Sequence, residues 1–281
     1  MMQGPQIAFL PDGRRLHLHH GPIDLILDAE GEGRAAALRA AALRFETVLD
    51  ELVAELPQLR SPTGPRPEGA IARTMHAATQ PFRPAFITPM AAVAGAVADA
   101  VLAAMTGAGA LTRAYVNNGG DIALHLAPGE SFAAAIAGGA PGRAAIPADS
   151  PTRGIATSGR HGRSHSLGIA DSVTVLACTA AQADAAATLI ANAVDLPGNP
   201  KITRTPARDL APDSDLGDRL VTVDLAPLTQ EETETALTRG LAFAETCRAR
   251  GLIQAALLTL AGETRMLGAP DLIASKDPTH A

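Results

Sequence analysis

The chain carries a carboxylate and a hydroxyl one helical turn apart, in a segment that is otherwise mostly alanine. Asp184 and Thr188 are four residues apart, so they share one face of a predicted helix. Mg²⁺ binds few protein oxygens and keeps water or phosphate as its remaining ligands. The pair therefore suits a magnesium site. The alternative is that Asp184 only offsets the dipole at the N-terminus of the helix.

Two hydroxyls and a glycine end a predicted strand in the middle of the chain. Thr157, Ser158 and Gly159 offer side-chain oxygens and accessible backbone, which can bind a carbonyl, a ring nitrogen or a phosphate. Two arginines follow shortly afterwards and suit anionic groups. An alanine stands two residues before Ser158, so this is not the Gly-x-Ser-x-Gly nucleophile elbow of hydrolases.

Two histidines, His161 and His165, follow the same strand with three residues between them. That spacing suits zinc, but a glycine-containing loop without a third ligand argues against a zinc site. Near the N-terminus, His17, His19 and His20 place two imidazoles on one face of an alternating strand. We interpret these three as surface histidines.

A single carboxylate interrupts the long apolar segment at residues 89–105. Asp99 lies four residues after Gly95, and a buried carboxylate without a partner is costly. Two interpretations stay open, because Asp99 could face a ligand, or it could cap a nearby loop or pair with an arginine.

A glycine pair stands between two predicted strands, in the segment Asn118, Gly119, Gly120 and Asp121. Paired glycines permit positive φ and the close approach of a ligand or of another backbone segment. Asn-Gly between strands is also the commonest signal of a β-hairpin. The segment therefore indicates a tight turn that is a candidate part of a binding site.

The elements that must position these residues follow from periodicity and turn signals. Apolar residues at helical spacing predict helices at residues 32–55, 71–78, 89–105, 180–193 and 229–250. Alternating or β-prone runs predict strands within residues 6–29 and at 113–116, 122–126, 132–136, 153–157, 172–177, 220–225, 253–260 and 264–267. Loops or extended segments are expected at residues 57–69, 81–89, 138–151 and 196–219.

The order of these elements predicts the fold class. Strands and helices in mixed order, joined by hairpins, favour an α+β fold over a parallel doubly wound sheet. Strand, helix and several strands follow one another more than once, which suggests a duplicated unit. We expect a single domain over residues 1–270 and a disordered tail over residues 271–281.

The composition argues against several classes of protein. The net charge is −6 and the pI is near 5.7, without a basic stripe, so we do not expect nucleic-acid binding. Two distant cysteines do not make a disulfide framework, which favours a reducing compartment. No signal-peptide pattern is evident, and the apolar stretches are interrupted before a span of about 18 residues. We therefore expect a cytoplasmic protein without a membrane span.

Taken in order, the segments described above resemble the ApbE-like family, whose best known members are FAD:protein FMN transferases. The Gly95-x-x-x-Asp99 spacing resembles the end of a helix motif of that family. The other matching segments are the NAGGD-type turn at residues 118–122, ATSG at 156–159, SVTV at 172–175 and ADAxAT at 183–188. The resemblance covers residues 87–194 well and the flanks only in their pattern of elements.

The resemblance implies an ApbE-like T-fold, with duplicated β-α-β units and antiparallel sheets packed by helices. It implies that Asp184 and Thr188 bind Mg²⁺, and that residues 118–121 and 157–159 line the site of FAD or FMN. We group Asp99 with these cofactor-binding residues. His165 is the nearest equivalent of a histidine that follows the ATSG strand in the transferases, where it would act as a general base. An acceptor protein is the implied partner.

The sequence departs from the transferase pattern at three places. Ala94 replaces a lysine, and residues 88–90 replace an Asp-x-Gly lead-in. The segment between TSG and SVTV is only about a dozen residues long and has no His-x-x-Asp-Pro. In the transferases these parts bind FAD and complete the site, so we interpret the chain as a divergent branch.

Three hypotheses about function remain. The first is a Mg²⁺-dependent enzyme that handles FAD, as an FMN transferase or by cleaving the FAD pyrophosphate. The second is a non-catalytic protein that binds a flavin or another small heteroaromatic ligand. The third is an enzyme for a different small ring substrate, since one fold can host unrelated chemistries. The sequence leaves the oligomeric state open, with a homo-oligomer as one option.

Overall fold

The computed structural model of the protein describes residues 4–136, 142–268 and 272–274. The chain divides into two compact units and passes between them several times. The first unit comprises Met1–Glu130, Pro147–Ala156 and Ala177–Ala185. The second comprises Ser131–Ile146, Thr157–Leu176 and Ala186–Ala281.

The strands and helices of the described chain are numbered in chain order. The strands are β1 (Gln6–Phe9), β2 (Leu16–His20), β3 (Ile23–Glu30), β4 (Arg113–Asn118), β5 (Asp121–Leu126), β6 (Ser131–Ile136), β7 (Gly142–Pro147), β8 (Gly154–Ser158), β9 (Ser172–Ala177), β10 (Ile202–Pro206), β11 (Leu220–Leu225), β12 (Ala255–Leu260), β13 (Glu263–Leu267) and β14 (Leu272–Ala274). The helices are α1 (Arg34–Phe45), α2 (Val48–Ala54), α3 (Leu56–Leu59), α4 (Ala70–Thr79), α5 (Val93–Gly107), α6 (Ala180–Ala193), α7 (Ala207–Leu210) and α8 (Gln230–Ala249).

In the first unit, strands β1 to β5 form an antiparallel sheet in chain order, and β8 pairs with β5. Buried and more exposed side chains alternate along β2 and β4, and α1 and α5 pack against the sheet. Leu18, Leu25 and Val116 are fully buried there. Burying such a side chain contributes about 2 kcal/mol, so this apolar face fixes the register of the strands.

The helix α5 lies in the core of the first unit. A 3₁₀ turn, Pro89–Ala92, leads into it, and the helix then consists mainly of alanine and valine. By length and composition alone, the segment Pro89–Gly107 could cross a membrane, so the interruption of its apolar residues at Asp99 does not by itself exclude a membrane span as we expected. The segment packs on β4, β5, α1 and α4. We therefore assign it as a core helix.

In the second unit, β9, β12 and β13 pair antiparallel in that order. Strand β10 pairs with β11, and β7 lies between β14 and β6. Helix α8 packs on β12 and β13 and begins with a capping box. The Thr229 side chain accepts a hydrogen bond from the Glu232 N–H, and the Glu232 side chain accepts one from the Thr229 N–H. This reciprocal pair fixes the start of the helix.

The two units repeat one plan. In the first, β3 leads into helices, β4 returns antiparallel beside β3, and a hairpin follows to β5. In the second, β9 leads into helices, β12 returns antiparallel beside β9, and a hairpin follows to β13. The predicted α+β fold, with antiparallel sheets packed by helices, is confirmed.

One predicted helix is two helices in the structure. The apolar pattern at residues 32–55 suggested a continuous helix, but the chain turns between α1 and α2. Thr47 stands at this break, and its hydroxyl hydrogen-bonds the side chains of Arg44 and Glu51. Such local side-chain bonds compete with a continuous helix, and the apolar period alone does not register them.

Four segments that we expected to be loops or extended contain regular structure. Helix α3 reaches into residues 57–69, a 3₁₀ turn at Gln80–Phe82 begins the segment 81–89, and β7 lies within residues 138–151. The excursion at residues 196–219 contains β10 and α7, because β10 finds its partner β11 only later in the chain. Of the expected tail, Leu272–Ala274 forms β14, and its other residues lie outside the described chain.

Candidate functional site

The first turns of α5 and α6 lie against each other inside the first unit. Gly95, in the first turn of α5, faces the backbone of Ala180, the first residue of α6. A Cβ atom on Gly95 would lie 2.2 Å from the Ala180 carbonyl oxygen. Only glycine permits this approach, so the two helix N-termini meet because of a single residue.

The Asp184 carboxylate lies at this junction. Its Oδ2 accepts a hydrogen bond from the Gly95 N–H at 3.0 Å. Burial raises the pKa of this carboxyl well above its ordinary value, and the nearby Asp121 carboxylate raises it further. Hydrogen bonds from the backbone of Gly95 and Ala94 lower the same pKa. Within the described residues, no lysine, arginine or histidine forms an ion pair with Asp184.

The Asp99 carboxylate caps the facing helix. Its Oδ1 accepts a hydrogen bond from the Ala180 N–H at 3.1 Å, and its Oδ2 accepts one from the Ala181 N–H at 2.9 Å. Burial raises the pKa of Asp99, and these two bonds oppose that rise. Of the two interpretations left open by the sequence, the capping contact is the one observed, with a helix N-terminus in place of a loop. Its role in cofactor binding stays a prediction.

A tight two-residue turn joins β4 to β5. Asn118 and Asp121 are paired across it, and both side chains are buried. Gly119 and Gly120 have φ values of 64° and 116°, in the left-handed region that favours glycine. The Asn118 Nδ2 donates a hydrogen bond to the Ala94 carbonyl oxygen at 3.1 Å. The turn therefore brings an amide and a second carboxylate to the start of α5.

Asp184 at this junction and Thr188 on the next turn of α6 offer oxygen ligands that fit a magnesium ion. Asp184 and Thr188 lie one turn apart in α6, and the Thr188 hydroxyl has no side-chain hydrogen bond within the described chain. The described part of the chain contains no group of three or more His, Cys, Asp or Glu side chains that could hold a metal by itself. A cation here would keep water or phosphate oxygens, which is the usual behaviour of Mg²⁺.

The predicted hydroxyl pair ends β8. Thr157 is exposed and Ser158 is half-buried, and both belong to the second unit. The Thr157 hydroxyl lies 2.8 Å from the Thr174 hydroxyl, which orients it towards β9. Gly159 is buried against the Asp171 carbonyl oxygen. The Thr157 hydroxyl is therefore held in place by a hydrogen bond to the neighbouring strand β9, which distinguishes it from the Ser158 hydroxyl.

In the loop after β8, the two histidines differ in their contacts. The Arg160 guanidinium forms an ion pair with Asp171 at 2.7 Å, and the His161 Nε2 lies 3.3 Å from the same carboxylate oxygen. Arg163 and His165 are exposed. Of the two arginines that suited an anion, Arg160 is neutralised by Asp171, so Arg163 is the one left accessible.

The structure brings six predicted site residues together within the first unit: Asp99, Asn118, Gly119, Gly120, Asp121 and Asp184. Thr188, Thr157, Ser158, Gly159 and His165 belong to the second unit. Two contacts at this site escaped sequence reasoning. The Gly95 N–H and the Ala180 carbonyl are backbone groups, so the type of the residue does not predict these contacts. The spacing of residues could have predicted them, because a small residue precedes an aspartate by four positions at Gly95 and again at Ala180.

Sequence reasoning also missed Asp171 in the second unit. Its carboxylate accepts hydrogen bonds from the Arg160 side chain and from the Ala261 N–H at 2.6 Å. Asp171 therefore joins the loop after β8 to the turn between β12 and β13. No local pattern indicates this contact, because Ala261 lies far along the chain.

Comparison with known proteins agrees with the motif order found in the sequence. A family described as "AbpE bacteria" matches residues 7–266. A UPF0280 protein of Methanopyrus kandleri is 33% identical over 175 residues, which cover 60% of this chain and 69% of that protein. A UPF0280 protein of Methanothrix thermoacetophila is 43% identical over 112 residues, which cover 38% of this chain and 46% of the relative. The second alignment thus spans about half of that relative.

Among solved structures, the apo form of the flavinyl transferase ApbE of Pseudomonas stutzeri is similar over 95% of this chain and 96% of that chain. The sequence identity is 12% and the TM-score is 0.38, and at that score the likeness supports no conclusion. The family match spans nearly the whole chain, and the resemblance inferred from the motifs is confirmed. The protein belongs to the bacterial ApbE-like family, with UPF0280 proteins among its relatives.

Proposed function

We propose that the protein is a Mg²⁺-dependent enzyme that acts on FAD. The observation that best supports this is the Asp184 carboxylate, held at the first turn of α5 beside Asp121 without a cationic partner. Asp121 is buried and Asp184 is half-buried. Two neighbouring carboxylates repel each other, and a divalent cation would stabilise both in their charged forms. The inferred reaction is transfer of FMN to an acceptor protein or cleavage of the FAD pyrophosphate.

In this proposal the first unit supplies one metal ligand, Asp184, and part of the nucleotide site, and helix α6 carries the second ligand, Thr188, one turn further on. Asp184 and Thr188 hold the cation through their side-chain oxygens. When bound, Mg²⁺ neutralises the pyrophosphate and makes its phosphorus easier to attack. The backbone of Gly119 and Gly120 has no side chain in the way of a phosphate or ring, and the Asn117 side chain accepts a hydrogen bond from the Gly120 N–H at 2.8 Å, which fixes the turn.

The proposed roles in the second unit rest on the family resemblance. Thr157, Ser158 and Gly159 contact the nucleotide through hydroxyls and backbone. His165 accepts the proton of the attacking hydroxyl, which belongs to the acceptor protein or to water. The oxygen of that hydroxyl forms a bond to the phosphorus on the FMN side, and the bond to the AMP oxygen breaks. AMP then leaves.

A second candidate function is non-catalytic binding of a flavin or another small heteroaromatic ligand. It is favoured by Ala94 where the transferases carry a lysine, and by the missing His-x-x-Asp-Pro segment. His165 is also exposed, so the proton-accepting group of the first proposal is not held in place. Purified protein with a bound yellow ligand and no turnover would favour this candidate.

We also propose a cytoplasmic location. Cys178 and Cys247 form no disulfide in the described chain, as a reducing compartment would maintain. Burial raises the pKa of the Cys247 thiol to about 11, which keeps it protonated and unreactive. The acceptor protein, and assembly into a homo-oligomer, stay predictions, as does the lack of a nucleic-acid or membrane partner.

Calorimetric titration of the full chain with FAD, with and without Mg²⁺, tests the proposal when it is followed by chromatography for AMP. Mg²⁺-dependent binding with release of AMP is the expected result. Binding without AMP would favour the non-catalytic candidate. No binding under either condition would reject both candidates and leave only the family membership.

A further inference from the structure

The junction between α5 and α6 is reciprocal. Gly95 and Asp99 are one turn apart in α5, and Ala180 and Asp184 are one turn apart in α6. Each aspartate accepts a hydrogen bond from the backbone near the small residue of the other helix. Each helix therefore holds the start of its neighbour through the aspartate on its next turn.

We propose that Asp99 is a positioning residue for the Asp184 metal site, and that it holds the first turn of α6 so that the Asp184 carboxylate meets the start of α5. This inference rests on the proposed function, in which Asp184 binds Mg²⁺. It assigns Asp99 no contact with the ligand. Outer-shell partners that orient a metal-binding side chain act in this way in metal sites generally.

The hydrogen bonds at the start of α6 carry the argument. The N–H groups of the first turn of a helix have no partner within the helix. Asp99 accepts from the first two, Ala180 and Ala181, which are both buried. Thr179 accepts from the next two through its side chain and its carbonyl. Without Asp99, two buried N–H groups would lose their partners, and the turn that precedes Asp184 would have to move.

The same contacts explain why Asp99 acts through Asp184. Its Oδ1 and Oδ2 each accept a backbone N–H, so the carboxylate is oriented towards the helix start. The close approach at Gly95, where a Cβ would lie 2.2 Å from the Ala180 carbonyl oxygen, ties both helices to one geometry. A shift of the first turn of α6 would therefore move Asp184 away from the Gly95 N–H.

The chain offers a matched control for this contact. The Glu55 carboxylate accepts hydrogen bonds from the N–H groups of Glu68 and Gly69, both at 2.7 Å, just before α4. Glu55 therefore also uses both oxygens on backbone N–H groups at the start of a helix, but within the described chain it forms no hydrogen bond or ion pair with α6. Glu55→Gln and Asp99→Asn each replace one of two acceptor oxygens by an amide nitrogen.

The test compares these two variants in the full chain by two measurements. The first is the hydrogen-exchange rate of the Gly95 amide without metal, followed by NMR. The second is the affinity for Mn²⁺, used as the probe ion for Mg²⁺ and followed by electron paramagnetic resonance. We expect Asp99→Asn to speed Gly95 exchange and to weaken Mn²⁺ binding by about 10- to 100-fold, the usual cost of losing an outer-shell partner. Glu55→Gln should change neither by more than about twofold.

Each outcome decides one of the two claims. Unchanged Gly95 exchange in Asp99→Asn overturns the positioning role, whatever the metal does. Equal effects of both variants also overturn it, because the loss would then reflect general destabilisation. Faster exchange in Asp99→Asn alone, with no Mn²⁺ binding by the unchanged protein, supports the positioning role and rejects the proposed metal-dependent function. If Asp99→Asn does not fold, Asp99→Glu, which keeps the charge but displaces the carboxylate, should give the same two changes, and unchanged values in that variant overturn the proposal.

Discussion

Two regions of the molecule differ in how their polar side chains are held. They are the α5–α6 junction in the first unit and the loop after β8 in the second unit. At the junction, Asp99 and Asp184 are fixed by backbone N–H groups. In the loop, Arg163 and His165 are exposed. Asp184, which is proposed to bind the metal, is thus held before any ligand arrives, whereas His165, which is proposed to react, is exposed. Mutations can test this difference between a preorganised metal-binding residue and an exposed reacting residue.

The largest effect should come from the junction itself. Asp184→Ala removes the proposed metal ligand, so Mg²⁺-dependent FAD binding should fall by at least about 100-fold, because Mg²⁺ uses only one or two protein carboxylates. Calorimetry with and without Mg²⁺ measures it. The fold should persist, which circular dichroism checks. Asp209→Asn, at an exposed carboxylate of α7, is the control. Unchanged affinity in Asp184→Ala would remove the metal assignment.

The second-largest effect should come from His165, in the loop after β8. His165→Ala should lower the rate of AMP release by about 100-fold, since general-base catalysis contributes about that much, and should leave FAD affinity unchanged. His161→Ala is the matched control, because His161 contacts Asp171 and is held away from this role. Stopped-time assays by chromatography separate the rate from the affinity. A larger loss in His161→Ala would reverse the assignment of the two histidines.

The pH dependence of thermal stability tests the raised pKa of Asp184 at the junction. Folding raises the pKa of Asp184 above its ordinary 3.8, so the folded chain holds the proton more tightly than the unfolded chain. The resulting stability is present below pH 3.8 and is lost as the pH rises through the raised pKa. In the metal-free protein, Asp184→Asn should therefore gain in Tm relative to the unchanged chain as the pH rises above the ordinary pKa of 3.8.

Thermal scans across that pH range, with and without Mg²⁺, provide the measurement. Saturating Mg²⁺ should remove the advantage of Asp184→Asn at high pH, because the cation stabilises only the charged aspartate. A Tm difference that stays constant over the whole range would contradict the raised pKa.

The smallest effect should come from Thr157. Thr157→Val keeps the shape of the side chain and removes the hydroxyl that bonds Thr174. We expect FAD affinity to fall by about fivefold, which corresponds to one lost hydrogen bond of about 1 kcal/mol. Thr174→Val is the control for loss of the same bond without loss of the Thr157 hydroxyl. Equal losses in both variants would show that the bond, rather than a ligand contact, sets the affinity.

Local patterns in the sequence were enough to predict most elements of the fold. The strand Ser172–Ala177 and the helix Ala180–Ala193 have their predicted bounds, because their apolar runs are bounded by clear turn or capping residues. The break at Thr47 was not predicted, since it depends on side-chain bonds to Arg44 and Glu51. Strand β10 was also missed, because its partner β11 lies beyond an irregular segment.

The candidate site was predictable in its residue types but not in its contacts. Motif order identified Asp99, Asn118, Asp121 and Asp184 as candidates, and the structure places all four in the first unit. The reciprocal caps depend on backbone N–H groups of Gly95 and of the residues that begin α6, which every residue type except proline provides. Sequence alone therefore could not distinguish a carboxylate that binds a ligand from one that positions a helix.

The central claim is that Asp184 and Thr188 bind a divalent cation. A crystal structure of the full chain grown with Mn²⁺ and FAD, with anomalous scattering recorded at the manganese edge, tests it most directly. The account predicts an anomalous peak at about 2.1 Å from an Asp184 carboxylate oxygen and from the Thr188 hydroxyl, the coordination distance of small hard cations. A manganese peak elsewhere, or FAD bound without any peak beside Asp184, would contradict it.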